Sequence, residues 1–245
     1  MIHGTMNVED NRFVWEQKPV LRAIYADYYA LIRSFTVEGK TLEIGAGPGN
    51  MKKVGNDVVS TDIVFAPWLD ASCDAQVLPF SNASFANIVM VDVLHHIARP
   101  ALFLAEAQRV LDTGGRLIMI EPGITPFSYF FYRWFHHEEV DSSCDPLDQS
   151  PAPSKDPFEG NQAVPTQLFL RGHQRIRSVA PKLKLKRKAW LSLFAYPLSG
   201  GFRSWTLLPA RLVPLILSFE RALLPILGPL CAFRLFVILE KHKVI

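Results

Sequence analysis

Cysteine is scarce in this chain: 245 residues hold three, Cys73, Cys144 and Cys231. They are far apart and odd in number, and there is no C-x-x-C pair. Neither a disulfide framework nor a zinc or dithiol motif is therefore written in the sequence, and a reducing, cytoplasmic setting is the expectation. An excess of one charge sign is also missing, with 26 basic residues against 23 acidic ones and a net charge of +3. No commitment to nucleic acid follows from that balance. The opening MIHGTMNVED carries acidic residues and no apolar core, so it does not read as a signal peptide. Long uncharged runs are lacking too: Arg203, Arg211, Glu220, Arg221 and Arg234 interrupt the apolar C-terminal third. No stretch reaches the ~18–20 residues of a membrane span, and none is expected. What remains is 49% hydrophobic residues, enough to fill the core of one large α/β domain.

The stretch around which the rest is organised is Lys40–Asn50, KTLEIGAGPGN. Thr41–Ile44 reads as a short buried strand that runs into a turn with glycine at 45, 47 and 49. Glycine has no Cβ and accepts positive φ, so such a turn lets a ligand lie directly against the backbone. A dinucleotide fingerprint G-x-G-x-x-G beginning at Gly45 needs glycine at position 50, where this chain has Asn50. That weakens the nicotinamide reading. With Glu43 two positions before the first glycine, E-x-G-x-G-x-G resembles the first motif of class I S-adenosylmethionine-dependent methyltransferases. The resemblance implies that Glu43, Gly45, Ala46, Gly47 and Gly49 hold the methionine end of that cofactor.

The flanking chain extends the resemblance. Pro19 to Phe35 has apolar residues at helical spacing, Ile24, Tyr28, Leu31 and Phe35, and reads as a covering helix within an N-terminal region 1–39. Its tyrosines 25, 28 and 29 read as core. After the glycine turn, Met51–Gly55 has room for only a turn or two of helix, shorter than the family's usual element. The next run, Val58–Ile63, is a strand that ends on Asp62 and Ile63. An ionised carboxylate there can accept two donors at once, which suits both ribose hydroxyls; a turn-forming aspartate is the alternative. In DAQVLPF, residues 74–80, the resemblance gives Asp74 the adenine amino group and the Ala75 amide the ring edge, while an isolated D-A pair simply caps a turn.

The block 84–122, SFANIVMVDVLHHIARPALFLAEAQRVLDTGGRLIMIEP, reads as strand, helix and strand. Ile88–Val91 is strand four, Asp92–Ile97 follows at its carboxyl end, and Pro100 opens a helix with Leu104, Ala107 and Leu111 on one face. Thr113-Gly114-Gly115 turns into a fifth strand, Arg116–Ile120. Such alternation requires parallel strands with right-handed crossovers. LHHI, RVL-x-x-GG and the strand after them look like the small-molecule methyltransferases that include ubiquinone and menaquinone biosynthesis enzymes. Four ordered motifs over residues 40–122, about a third of the chain, carry the likeness. It implies S-adenosylmethionine as cofactor, Asp92 as a further cofactor contact, and a doubly wound, mostly parallel seven-stranded α/β sheet (Rossmann-like) whose last strand is antiparallel.

From 123 to 181 regularity fails among many prolines, and the segment reads as an insertion or lid on a single domain, 1–245. The aromatic run Phe127–Phe135 suggests a short helix, either walling an apolar substrate or gluing the insertion down. KLKLKRKAWL opens strand six and Cys231–Leu239 is the last strand, with short helices expected between Leu207 and Leu227. The basic run Lys182–Lys188 suits a solvated edge strand or an anionic membrane surface touched through 182–230.

In an open α/β sheet, ligands lie beyond the carboxyl ends of the strands, which selects candidate bases: His95 or His96 after strand four, and His137 on the insertion. Adjacent histidines are expected to point in different directions, so only one of 95 and 96 should reach an acceptor. The run His136-His137-Glu138-Glu139 lacks the i, i+4 spacing of a helical metal site, and no metal is expected. The reading is methyl transfer to a small or lipid-like acceptor, a hydroxyl oxygen above others. The rivals are a scaffold that binds the cofactor without turnover and a nicotinamide oxidoreductase. Oligomeric state is not legible.

Overall fold

The computed structural model describes residues 8–53, 57–136, 138–150 and 156–243. Seven strands form one sheet: β1 (Thr41–Ile44), β2 (Val58–Asp62), β3 (Ala71–Ser72), β4 (Phe85–Val91), β5 (Leu111–Pro122), β6 (Leu183–Leu191) and β7 (Arg234–Lys241). Their spatial order is β3-β2-β1-β4-β5-β7-β6. The pairs among β1 to β5 are parallel, and β7 runs antiparallel to both β5 and β6. This is the doubly wound sheet expected from the sequence, including the late strand beside β5.

Period-2 alternation sends each strand's apolar residues to two covered faces. Ile88, Met90, Leu117, Met119, Val237 and Leu239 share one core cluster. Val89, Ile118, Ile120, Phe236 and Ile238 belong to the other. The first face is covered by α3 (Pro100–Val110) and by residues buried after α4 (Pro126–Phe135), among them Val164 of the short α5 (Val164–Thr166) and Phe169. The second is covered by α1 (Val8–Gln17), α2 (Pro19–Arg33), α6 (Ala195–Ser199) and α7 (Val213–Cys231). Lys18, between α1 and α2, fastens that layer: its buried Nζ donates to the carbonyls of Gly201, Arg203 and Trp205 at 2.7, 2.6 and 2.8 Å.

Three expectations need correcting. Leu111 is not on the helix face but opens β5, because α3 ends at Val110. Cys231 closes α7, and the last strand starts only at Arg234. Where short helices were expected between Leu207 and Leu227, one 3-10 turn, Ala210–Leu212, leads into the single 19-residue helix α7, which continues through Pro225 and Pro229. A proline removes one helical hydrogen bond and crowds the carbonyl four residues earlier, but packing can hold the helix together. Here Pro225 and Pro229, one turn apart, line a groove with Trp190 of β6, and Gly228 lies against the same indole. With the turn before it, Ala210–Cys231 is 22 residues long and apolar enough by length and composition to cross a bilayer.

Candidate active site at the carboxyl ends of the strands

The glycine turn leaves β1 with Gly45, Gly47 and Gly49 all at positive φ, 66°, 48° and 70°. Their surroundings differ. A Cβ at Gly45 would overlap the methyls of Val93, and one at Gly49 would press on the Trp68 ring at 2.9 Å, whereas a Cβ at Gly47 would enter open space. Gly47 is thus the point where the turn presents bare backbone outward. Its N–H donates to Asp62 Oδ2 at 2.9 Å, its carbonyl accepts from Trp68 Nε1 at 2.8 Å, and Asp62 Oδ1 accepts the Val64 N–H at 3.1 Å. A carboxylate has about four acceptor sites, so Asp62 keeps capacity for two hydroxyl donors. Ile63 beside it is half exposed.

The other predicted cofactor residues surround this edge. Glu43 is buried and accepts from Ser60 Oγ at 2.8 Å. Burial raises its pKa to about 7, against the opposing pull of that hydrogen bond. Asp74 closes a turn, taking the Gln76 N–H at 2.8 Å and the Gln76 side-chain amide on both oxygens at 3.0 Å, and Ala75 is buried. After Gly49, the described residues form a single 3-10 turn, Met51–Lys53, where a short element was expected.

Asp92, the further cofactor contact expected from the resemblance, follows β4 at φ 59° and is paired within the chain. Its Oδ1 lies 2.9 Å from Arg234 Nη1 at the start of β7, and Oδ2 accepts from Tyr25 at 3.3 Å. Arg234 is itself buried, with its guanidinium 4.0 Å over the Tyr196 ring. Burial raises the pKa of Asp92, and the neighbouring guanidinium opposes that rise. Sequence reasoning missed Arg234 as a site residue. The signal was there, one charge inside CAFRLFVIL, because an arginine buried in a strand must find a partner.

A second polar centre lies on the opposite face of the same edge. Glu121, near the end of β5, is fully buried and takes the N–H groups of Val93 and Leu94 at 2.9 and 2.8 Å on one oxygen and His95 Nδ1 at 2.9 Å on the other. His95 Nε2 is 3.3 Å from Glu138 Oε2, and His96 Nε2 is 3.9 Å from Glu138 Oε1. Contrary to expectation, both imidazoles face one carboxylate, their rings 4.1 Å apart and tilted by 40° on the turn Leu94–His96. His137 lies outside the described residues. The insertion is tied to this turn by its backbone: Asn161 N–H donates to the His95 carbonyl at 2.9 Å. A Cβ on Gly160 would collide with the Glu138 carboxylate and, at 2.9 Å, with His95 Cδ2.

Burial disfavours charge on His95, but its hydrogen bonds to Glu121 and Glu138 outweigh that and raise its pKa to about 9. Burial and the neighbouring His95 lower that of His96 to about 4. Burial would raise that of Glu138, yet the hydrogen bond from His95 holds it far below the usual carboxylate range. Near neutrality His95 therefore already carries its proton and cannot act as a base in this arrangement.

Together the glycine turn, Asp62 at the end of β2 and the β5-β7-β6 arrangement are similar to those of class I S-adenosylmethionine-dependent methyltransferases. Residues 42–119 match the methyltransferase-domain family, and S-adenosylmethionine is the cofactor of this domain. The fold is similar to that of geranyl diphosphate C-methyltransferase from Streptomyces coelicolor, at 11% identity and TM-score 0.50 over 89% of this chain and 79% of that one. A methyltransferase from Methanosarcina mazei is 14% identical over 87% of this chain and 98% of that one, with TM-score 0.48. Over 49 residues the chain is 49% identical to an uncharacterized 37.1 kDa protein of transposon TN4556 in Streptomyces fradiae. That match spans 20% of this chain and 14% of the relative.

Proposed function

We propose that the chain transfers a methyl group from S-adenosylmethionine to a hydroxyl oxygen of a small or lipid-like acceptor. The observation that carries the reading is the outward-facing Gly47 amide bound to Asp62, a cradle a Cβ would fill, with spare acceptor capacity beside it. Bound there, the cofactor would supply an activated methyl group, so the protein's contribution is placement, which is worth up to ~7–11 kcal/mol of barrier. Glu43, Gly45, Ala46 and Gly49 would shape the turn, Asp62 and Ile63 the ribose seat, and Asp74 with Ala75 the adenine edge. Asp92, paired with Arg234, would fix the wall next to the methyl group. A hydroxyl acceptor must also lose a proton, and His96, kept neutral by burial and by the neighbouring His95, is the member of the His95, His96 and Glu138 cluster that can accept it.

Exposed apolar residues favour a lipid-like acceptor taken from a membrane surface. Phe130, Trp134 and Phe135 of α4 and Leu215, Phe219 and Ile226 of α7 are all more than half exposed, and the two helices pack side by side. Titration calorimetry with S-adenosylmethionine and S-adenosylhomocysteine tests the cofactor reading. We expect saturable binding that Asp62→Ala weakens at least tenfold. No saturable binding, or no effect of the substitution, would overturn it. Transfer of a labelled methyl group to total lipid rather than to the aqueous pool tests the acceptor class.

A further inference from the structure

We propose that His95, His96 and Glu138 form a binding site for one divalent transition-metal ion at the mouth of the cofactor site. Their ligand atoms all lie within 4.8 Å of one another. The tautomers favour ligation. His95 Nδ1 is 2.9 Å from the Glu121 carboxylate and His96 Nδ1 is 3.2 Å from the Glu159 carbonyl, and both partners are acceptors, so each Nδ1 carries a hydrogen. That leaves both Nε2 atoms directed at Glu138, where two nitrogens and a carboxylate converge; a bound cation would take the place of the proton that His95 Nε2 donates to Glu138, and that proton would leave to solvent.

The surroundings are those of a built site. A carboxylate on the far nitrogen of a ligating histidine orients the ring and raises its basicity, and Glu121 stands in that relation to His95. Glu121 is itself fixed by two backbone amides, and Gly160 brings the insertion's backbone close over the cluster. Gln162, 2% exposed, donates to Glu138 through Nε2, while its Oε1 is buried without a hydrogen-bond partner among the described residues. Ligands bound at ~2.0–2.2 Å in a tetrahedral shell stand roughly 3.3–3.6 Å apart. His95 Nε2 is already 3.3 Å from Oε2 of Glu138, and His96 Nε2 is 3.9 Å from the other oxygen, Oε1, so the carboxylate would rotate, or bind through both oxygens, to close the shell.

Two imidazoles and one carboxylate suit zinc, cobalt, iron or manganese better than magnesium or calcium, and three protein ligands leave at least one position open. An acceptor hydroxyl bound there would lose its proton more readily, as water does on zinc. That last step rests on the proposed methyl transfer; the ion site itself does not, and the two fail separately.

Cobalt(II) is the probe, because its visible bands report coordination. Titrating the metal-free protein should give one equivalent bound at micromolar affinity or tighter. His96→Ala and Glu138→Gln should each weaken binding at least tenfold, and Glu121→Gln ~10–100-fold. Unfolding curves of each variant check that it folds. An anomalous difference map of cobalt-soaked crystals, with a peak bonded to His95, His96 and Glu138, provides a readout that needs no variant. Absence of stoichiometric binding, a peak elsewhere, or folded variants that bind as well as wild type would overturn the site, whatever calorimetry shows for S-adenosylmethionine.

Discussion

Arg234 Nη1 lies 2.9 Å from Asp92 Oδ1, joining the first residue of β7 to the residue that follows β4. Both lie at the edge of the sheet where the parallel strands end. The Arg234 guanidinium is covered by Tyr196, and its Nε is buried without a hydrogen-bond partner among the described residues. Removing one member of a buried pair leaves the other uncompensated, at a cost of ~3–5 kcal/mol. Arg234→Met should therefore lower the urea midpoint sharply, whereas Asp92→Asn combined with Arg234→Met should recover much of the loss. A double variant as unstable as the single one would show that the ion pair is not the cause.

Gly45→Ala and Gly47→Ala should separate folding from binding. Positive φ costs an alanine ~1–2 kcal/mol at either position. At Gly45 the overlap with Val93 adds a packing penalty of ~1–3 kcal/mol, so its variant should be the less stable in thermal unfolding. At Gly47 the added methyl points into open space. That variant should melt nearer to wild type while losing S-adenosylmethionine affinity at least tenfold by calorimetry.

Glu43 predicts a pH dependence with a definite sign. Burial raises its folded-state pKa from 4.5 to about 7, so between these values the folded chain holds a proton that the unfolded chain has lost. Its contribution to stability is fully present below pH 4.5 and is lost as pH rises through 7. Glu43→Gln should thus gain on wild type as pH rises from 5 to 8, by ~1–3 kcal/mol. Urea unfolding at both pH values measures the difference, and a constant gap between the two proteins would refute it.

Binding to anionic vesicles should depend on the outer faces of α4 and α7. Trp134 is 70% exposed and Ile226 74% exposed. Inserting one such side chain into the interface is worth ~1.5–3 kcal/mol, so Trp134→Glu and Ile226→Glu should each weaken partitioning about tenfold or more in co-sedimentation. Equal partitioning of all three proteins would remove the membrane surface from the proposal.

Local patterns explain which parts were legible in the sequence. Thr41–Ile44, the glycines after it and Asp62 sit within one strand-turn-strand passage, where spacing alone fixes geometry. The antiparallel place of β7 came from the resemblance, not from any local pattern. Helix α7 was misread because proline is weighed as a local breaker, whereas the Trp190 groove that accommodates Pro225 and Pro229 exists only after folding. The histidine cluster was missed for a similar reason. His95 and His96 were visible as neighbours, but Glu138 arrives on the insertion, and the turn Leu94–His96 lets both rings face it.

The position of β7 also bears on how the molecule assembles. β7 follows β6 in the chain but lies between β5 and β6, so β6 cannot join the sheet before β7 has docked. Until then the long edge of β5 stays unpaired, a template for association with other chains, and such long-range pairing is slow. Arg234 travels on β7, so Asp92 has no counter-charge until this late step. The competence to bind cofactor should therefore appear only with the final docking event, which makes ligand binding a readout of complete folding rather than of the β1 to β4 half alone.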